Sequence, residues 1–252
     1  MAEAPTRTEL ILIGAAGVAA AALGGLSWWV VTSGTHLPVV DLRGHAWALE
    51  HRGPVDTAVA RVITWGGATV ITLPALVLIG AATSRARGAL LRLRAGALLA
   101  GVAGAGVFVG LQLNALIDRA RPLVDDWAGA AGGPSFPSGH TTAGALFAGC
   151  CAWALTRRYP SRSARGGVWV AGALYAVLVG ATRIWLGVHW PTDVAAGLLF
   201  ALTWLGGAEA IHRTVLRRRR SRAADPTATP EPVGAVIPWT TPDTDSASTR
   251  AG

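Results

Sequence analysis

The feature that most constrains the fold of this chain is a succession of six apolar segments. They cover residues 10–32, 58–82, 95–116, 141–155, 167–187 and 191–211. About 20 apolar residues in a helix cross a hydrocarbon layer about 30 Å thick. Inside that layer a helix satisfies the hydrogen bonds of its own backbone, whereas a loop does not. The sequence therefore predicts an all-α integral membrane protein, built as a bundle of six transmembrane helices.

The composition supports this prediction and excludes an ordinary soluble enzyme. Hydrophobic residues make up 52% of the 252 residues and charged residues only 14%, against roughly 25% charged residues in soluble domains. The 32 glycines suit helices that pack closely in a membrane. The two cysteines, Cys150 and Cys151, are adjacent in an apolar segment, so we expect small buried residues and neither a disulfide framework nor a zinc site.

The positive charge of the chain is arranged in clusters that predict its orientation. The chain carries 22 arginines, no lysine and a net charge of +8. Three clusters follow the second, fourth and sixth apolar segments: residues 85–94, 157–165 and 213–222. By the positive-inside rule this side is cytoplasmic. A juxtamembrane arginine cluster also attracts anionic lipid, so the charge requires no nucleic acid partner.

This orientation divides the chain into three parts. Residues 1–9 are predicted to be a cytoplasmic N-terminus, residues 10–211 the membrane domain, and residues 212–252 a basic juxtamembrane segment with a disordered cytoplasmic tail. The tail prediction rests on its Pro, Thr, Ser, Asp and Ala content. Residues 34–56 are mixed in polarity and are predicted to be a loop with an interfacial helical piece.

Two short polar blocks face the predicted outer side. The first includes Asn114, Arg119 and Arg121 at the end of the third apolar segment; an arginine there either binds an anion or extends to the membrane interface. The second is the run Pro-Ser-Gly-His at residues 137–140, directly before an apolar helix. Its serine can cap that helix, its glycine lets the backbone approach a ligand, and the amides of the first turn favour an anion.

A third block follows the fifth apolar segment and contains Arg183, His189 and Asp193. Arg183 offers a guanidinium fork for a phosphate. His189 can act as nucleophile or base, and Asp193 can hold its tautomer and stabilise the imidazolium. Ionisable residues at the edge of a membrane bundle are costly, which indicates a functional site.

Together the three blocks predict a site for a tetrahedral oxyanion and phosphoryl transfer through a phosphohistidine. His189 attacks phosphorus, while Arg121, Arg183 and the backbone of residues 138–140 hold the phosphate oxygens. His140 protonates the leaving oxygen and then activates the water that hydrolyses the intermediate.

The blocks resemble the signature of the type-2 phosphatidic acid phosphatase superfamily of membrane lipid phosphatases. That signature reads Lys-x6-Arg-Pro, Pro-Ser-Gly-His and Ser-Arg-x5-His-x3-Asp. Here its parts are matched by Arg121 with Pro122, by residues 137–140, and by Arg183, His189 and Asp193. The resemblance spans residues 41–211 and implies a six-helix bundle, an extracytoplasmic active site, and catalysis by His189, His140 and Asp193 without a metal or other cofactor.

Two positions depart from this signature. Thr182 stands in place of the family serine and keeps the hydroxyl. Asn114 stands in place of the family lysine, which removes a positive charge from the phosphate pocket but keeps a hydrogen-bond donor. The predicted phosphate-binding set is therefore Arg121, Arg183, Ser138, Gly139 and Asn114, with Arg119 compensating for the missing charge.

The function implied is hydrolysis of a lipid phosphate or pyrophosphate in the cell membrane. A site beside the headgroups allows the lipid chains of the substrate to stay in the bilayer. Among the substrates of the family, polyprenyl pyrophosphate (undecaprenyl pyrophosphate) is favoured, with phosphatidic acid and phosphatidylglycerol phosphate as further candidates. Two alternatives remain at this stage: a phosphotransferase that uses a lipid-linked acceptor, and a non-catalytic lipid-phosphate binding or transport protein.

Overall fold

A computed structural model describes residues 6–34, 36–159 and 161–223. These residues form α-helices joined by loops and two short 3-10 turns, with no β-strand among them. The helices are α1 Arg7–Ser33, α2 Val39–His51, α3 Pro54–Ile63, α4 Thr69–Thr83, α5 Ala89–Ile117, α6 Gly139–Thr156, α7 Arg162–Trp185 and α8 Pro191–Ala223. The predicted all-α class is confirmed for this part of the chain. The predicted tail beyond residue 223 lies outside the described residues.

Four of the described helices are long and apolar enough to cross a membrane. They are Glu9–Ser33 in α1, Ala89–Ile117 in α5, Arg162–Trp185 in α7 and Pro191–Arg219 in α8. Helices α3 and α4 are joined at a bend of 55°, and they form a fifth crossing if the pair is counted as one span. The structure thus gives four or five spans by length and composition, against the six expected.

The fourth expected segment, residues 141–155, corresponds to α6, which is short and is not among these spans. Its 18 residues begin with Gly139, His140, Thr141 and Thr142, so its first turn is polar. At 1.5 Å per residue α6 is about 27 Å long. It packs against α4, α5, α7 and α8 and therefore lies at the centre of the bundle rather than on its lipid-facing surface.

Small side chains allow the other helices to approach α6 and one another. The buried cluster that joins α4, α5, α6 and α8 includes Leu76, Leu99, Leu146 and Ala201. Both cysteines are free thiols. Cys150 is buried within this cluster, as predicted, whereas Cys151 is only partly buried against it. In a membrane such packing, rather than transfer out of water, stabilises the association of helices.

The second apolar segment, which was expected to form one span, is a pair of helices joined at a bend. The 3-10 turn Thr64–Gly67 separates α3 from α4. A Cβ atom on Gly67 would overlap the backbone of His140, so only glycine lets this turn lie against the start of α6. The bend brings Thr64 to the end of the bundle that carries the motif residues.

The two ends of the bundle differ in charge. At the end where α6 finishes, Arg85 donates to the carbonyl of Arg157 at 2.9 Å, and Arg158 donates to the carbonyl of Thr83 at 3.1 Å. His212 of α8 lies 3.4 Å from Arg157. The three arginine clusters therefore meet at one end of the bundle, and the motif residues lie at the other.

Residues 39–51 form a complete helix where the sequence predicted a loop with an interfacial helical piece. Proline precedes this helix, α2, and Asp41 occupies its first turn. That carboxylate is fully buried against the first turn of α8, which is a contact between residues 151 positions apart. Such a contact leaves no periodic pattern in the sequence.

Candidate active site

The three sequence blocks meet at the N-terminal ends of α6 and α8. The backbone amide of Ser138 donates to the carbonyl of Asp193 at 3.0 Å, which joins the second block to the third. Arg121 donates to the carbonyl of Val188 at 2.7 Å, which joins the first block to the third. The separated motifs of the sequence therefore form one site.

The first turn of α8 has a local fold that presents His189. Gly187 has a positive φ of 70° and turns the chain after α7, and Pro191 occupies the first position of α8, where its missing N–H costs nothing. Asp193 reaches back to the amide of Trp190 at 2.9 Å, as an acidic residue at this position of a helix does. His189 is thereby held two residues before Pro191, the first residue of α8.

The ring of His189 is held on both nitrogens. Nδ1 lies 3.3 Å from the Oδ2 atom of Asp193, and Nε2 lies 2.8 Å from Nη1 of Arg121. A guanidinium only donates hydrogen bonds, so Nε2 accepts and the proton resides on Nδ1. This tautomer gives Nε2 the free electron pair of a nucleophile. Burial lowers the pKa of His189 to about 4, although the hydrogen bond and charge of Asp193 act to raise it.

Arg183 is buried, and only some of its hydrogen-bond donors have partners among the described residues. Its Nη1 donates to the hydroxyl of Thr64 at 2.8 Å, and its Nη2 donates to the carbonyl of Ala130 at 3.3 Å. Its Nε is buried with no hydrogen-bond partner among the described residues. A buried donor without a partner costs about 1–3 kcal/mol, and such a group in a native structure requires an explanation. An oxygen of a bound ligand supplies one.

Arg121 is anchored to the loop between α5 and α6. It donates to the carbonyls of Gly132, Gly133 and Pro134 at 2.8–3.0 Å. Burial lowers the pKa of its guanidinium, while Asp193 acts to raise it. Because Nη1 also contacts Nε2 of His189, this guanidinium lies beside the atom that a phosphorus would approach.

His140 occupies the first turn of α6, close to the other cationic groups. Burial is the main cause that lowers its pKa to about 4, followed by the charges of Arg183, His189 and Arg121. A Cβ atom on the neighbouring Gly139 would meet open space. First-turn amides have no intrahelical partner, so this end of α6 presents N–H groups and a histidine to the same region.

Ser138 is the N-cap residue of α6, as predicted, but its hydroxyl makes no capping bond to the helix backbone. The hydroxyl instead accepts from Thr141 at 3.0 Å, while the backbone amide is used by Asp193. Ser138 is fully buried. Its observed contacts therefore fix the junction of α6 and α8.

Two predicted phosphate-binding residues have protein groups as partners. The amide of Asn114 donates to the carbonyls of Pro134 and Pro137 at 3.1 and 3.2 Å, which ties α5 to the loop before α6. Arg119 contacts Asp41, Asp193 and Thr192. The sequence shows an additional cation near the site but gives no sign that a carboxylate on α2 will pair with it.

Sequence reasoning also missed Asp41, Thr64 and Thr192. Thr64 binds Arg183, and Asp41 and Thr192 bind Arg119. Thr192 lies inside the third block and was available as a candidate from that position. Asp41 and Thr64 lie in segments without a motif, and only the packing of α2 and of the 3-10 turn reveals them.

Comparisons with known proteins show which family this chain resembles. The sequence profile of the PAP2 superfamily matches residues 94–218. The chain is 34% identical over 156 residues to a phosphatidylglycerophosphatase B of Bacillus subtilis, covering 60% of this chain and 72% of that protein. A crystal structure of a transmembrane PAP2-type phosphatidylglycerolphosphate phosphatase from Bacillus subtilis matches with a TM-score of 0.62 and 26% identity. That match covers 82% of this chain and 98% of the other.

Two further relatives match over shorter regions. The chain is 41% identical over 107 residues to a lipid A 1-phosphatase of Rhizobium etli, covering 37% of this chain and 41% of that protein. It is 39% identical over 71 residues to an undecaprenyl-diphosphatase of Sulfolobus acidocaldarius, covering 28% and 30%. The chain thus spans less than half of either of these relatives. From the profile, the relatives and the apolar helices together, the chain belongs to the PAP2 superfamily and is a multi-pass membrane phosphatase.

Proposed function

We propose that this protein hydrolyses a lipid phosphate or pyrophosphate through a phosphohistidine on His189. The observation that carries the proposal is the buried Nε of Arg183, which has no hydrogen-bond partner in the part of the chain that the structure describes. The charge of Arg183 acts on both His189 and His140. A phosphate between these groups would satisfy that donor and bring phosphorus to Nε2 of His189. Without such a ligand the desolvated donor remains unpaired, which is unfavourable.

The proposed reaction has two steps. In the first, Nε2 of His189 forms a bond to phosphorus as the bond from phosphorus to the lipid oxygen breaks, and His140 gives its proton to that oxygen. In the second, His140 takes a proton from water, whose oxygen bonds to phosphorus as the P–N bond breaks. Arg183, Arg121 and the first-turn amides of α6 stabilise the charge on the phosphate oxygens in both steps. Asp193 stabilises the imidazolium form of His189.

Phosphatidylglycerol phosphate is the first substrate to test. The relative of which the chain covers 72% is a phosphatidylglycerophosphatase, and the matching crystal structure is of a phosphatidylglycerolphosphate phosphatase. Asn114, in place of a lysine, also leaves the site with one positive charge fewer, which suits a monoester better than a more highly charged pyrophosphate. The undecaprenyl-diphosphatase relative supports polyprenyl pyrophosphate as the second substrate.

We further propose that the arginine-rich end is cytoplasmic and that the site faces the outside of the cell membrane. The contacts between Arg85, Arg157 and His212 support a single basic end. The positive-inside rule assigns such an end to the cytoplasm. Residues 1–9 and 212–252 then lie on the cytoplasmic side of a membrane domain formed by residues 10–211.

Release of inorganic phosphate from purified protein in detergent tests this function. We expect turnover of phosphatidylglycerol phosphate, phosphatidic acid or undecaprenyl pyrophosphate at a rate well above that of a water-soluble phosphate monoester, because the lipid chains can remain in the detergent or bilayer phase. Binding of all three lipids without release of phosphate would contradict the proposal and would favour a binding or transport protein. Transfer of the phosphoryl group to an added lipid alcohol would indicate a phosphotransferase.

The pH dependence follows from the two histidines. His189 must be neutral to attack, and its pKa of about 4 means that kcat/KM rises as the pH increases through about 4. His140 must be protonated to act as the acid, and its pKa of about 4 in the free protein means that this form is lost as the pH rises further. A bound phosphate dianion raises the pKa of His140 because it stabilises the charged imidazolium.

We therefore expect kcat/KM to reach its maximum on the acidic side of pH 7. As the pH rises, kcat should begin to fall at a higher pH than kcat/KM does. Initial rates in detergent between pH 3.5 and 9, at saturating and at low substrate, measure both profiles. Because the two histidines interact, the observed values belong to the pair. A value of kcat/KM that increases steadily through pH 8 would contradict these protonation roles.

A further inference from the structure

Arg119 lies between two buried carboxylates. Its Nη2 donates to the Oδ2 atom of Asp41 at 2.7 Å, and its Nη1 donates to the Oδ1 atom of Asp193 and to the hydroxyl of Thr192, the latter at 2.7 Å. The side chain of Arg119 is 9% exposed, and those of Asp41 and Asp193 are 0% exposed. A planar guanidinium fixes several acceptors at once, which an ammonium group does not.

Asp41 connects this arrangement to α2, a helix outside the three motifs. Its Oδ1 accepts from the backbone amide of Thr192 at 2.8 Å, and its Oδ2 also accepts from the hydroxyl of Thr192 at 2.7 Å. One turn later, a Cβ atom on Gly44 would overlap the ring of Pro191. The first turn of α2 is thus fastened to the first turn of α8, directly beside the His189–Asp193 pair.

The orientation of Asp193 depends on both of its oxygens. Oδ1 is held by Arg119, so Oδ2 is left to face the amide of Trp190 and Nδ1 of His189. Without Arg119 this carboxylate could rotate, and the ring of His189 would lose its fixed acceptor. Arg119 therefore acts on the nucleophile through Asp193.

The combined charge of Asp41, Arg119 and Asp193, which we call the buried set, also acts on His189. Asp193 and Arg119 alone would form a neutral pair with little net field at His189. Asp41 adds a second negative charge, so the three groups together carry a charge of about −1. In a buried site such a charge is only weakly screened. It favours the positive ring that forms when His189 bonds to phosphorus.

We propose that Asp41 and Arg119 are positioning residues for phosphoryl transfer: Arg119 fixes the Asp193 carboxylate toward His189, and Asp41 orients Arg119 and keeps the buried set negatively charged. This inference rests on the proposed function, since it requires His189 to be the nucleophile. None of the contacts of Asp41 or Arg119 described above is with Arg121, Arg183 or His140. Both residues should therefore affect the rate of the chemical step more than the binding of phosphate.

The first test is the variant Asp41→Asn, which keeps the size of the side chain and removes its charge. We expect kcat to fall about 10- to 100-fold, the range typical when a residue that orients an active-site group is lost. KM and the inhibition constant of inorganic phosphate should stay unchanged. Asp125→Asn is the matched control, because Asp125 is exposed in the α5–α6 loop; it should retain the parent activity.

The second test is Arg119→Lys, which keeps one positive charge between the two carboxylates. We expect a comparable loss of kcat, because a lysine cannot hold Asp41, Asp193 and Thr192 in one geometry. The kcat of the double variant Asp41→Asn with Arg119→Lys should lie within about threefold of the kcat of the slower single variant. Residues that act as one unit give such non-additive effects. If Asp41→Asn does not fold, Arg119→Lys alone carries the test.

The outcomes separate this inference from the proposed function. If His189→Ala is inactive while Asp41→Asn and Arg119→Lys keep the parent kcat, the positioning role is wrong and the phosphohistidine proposal stands. If the losses of kcat in the two single variants multiply in the double variant, Asp41 and Arg119 do not act as one unit and the positioning role is wrong. If the single variants raise KM and lower the unfolding temperature while kcat is unchanged, Asp41 and Arg119 have only a structural role. If His189→Ala is as active as the parent, the proposed function itself fails.

Discussion

Replacing His189 with alanine is expected to lower phosphate release by at least about 10⁴-fold. Loss of the nucleophile in an enzyme that forms a covalent intermediate removes most of the catalysis, and about 10⁶-fold is the known scale for such a change. The buried ring offers Nε2 as the only reacting atom in the proposed first step, since Nδ1 bears the proton that Asp193 accepts. The remaining activity would come from substrate binding and from Arg183, Arg121 and the α6 amides.

The measurement compares kcat of His189→Ala with that of His36→Ala in the same detergent. His36 is exposed in the α1–α2 connection, so the control should keep the parent activity. Unfolding temperatures of the two variants show whether the protein is intact. Activity of His189→Ala within tenfold of the parent would show that another group attacks phosphorus.

Replacing Asp193 with asparagine is expected to lower kcat by about 10⁴-fold, the cost known for the equivalent change in an Asp–His pair. The reason lies in the partners of the two carboxylate oxygens. Arg119 donates to one of them, so the carbonyl oxygen of an asparagine would turn toward Arg119. Its NH₂ group would then face His189 and favour the tautomer with the proton on Nε2. That tautomer has no free electron pair directed at phosphorus.

The asparagine variant should remain folded, because Arg119 keeps Asp41 as a partner. Asp56→Asn, at an exposed position of α3, is the matched control. Inhibition by inorganic phosphate should be nearly the same in Asp193→Asn and in the parent, since the phosphate partners are unchanged. A fall in phosphate affinity that accounts for the whole loss of activity would contradict an orienting role for Asp193.

The sequence was sufficient to predict the helical class and the meeting of the three blocks. Residues such as His189 and Asp193 are one turn apart, so their contact is local. His140 and Arg121 could be predicted to lie near His189 because their motifs combine residue types that phosphate chemistry requires, and the structure brings them there. Cys150 was also predicted correctly as a buried core residue.

The remaining features depend on contacts between distant segments. Asp41 is an ordinary acidic residue at the start of a helix until α2 packs onto α8, 151 positions away along the chain. Thr64 becomes a partner of Arg183 because the α3–α4 segment is bent rather than straight. Arg119 was interpreted as a spare cation for phosphate, since a motif shows the charges near a site but not the pairs that they form.

Covalent phosphorylation of His189 is the most direct consequence of the proposed mechanism. We suggest that it be measured in the variant His140→Ala with a ³²P-labelled nitrophenyl phosphate. The nitrophenolate leaves without an acid, so the first step should proceed, while the second step lacks its base. Quenching in alkali preserves a P–N bond. We predict a burst of about one nitrophenolate per protein and stable label on His189; continued turnover with no label, or label on another residue, would contradict the mechanism.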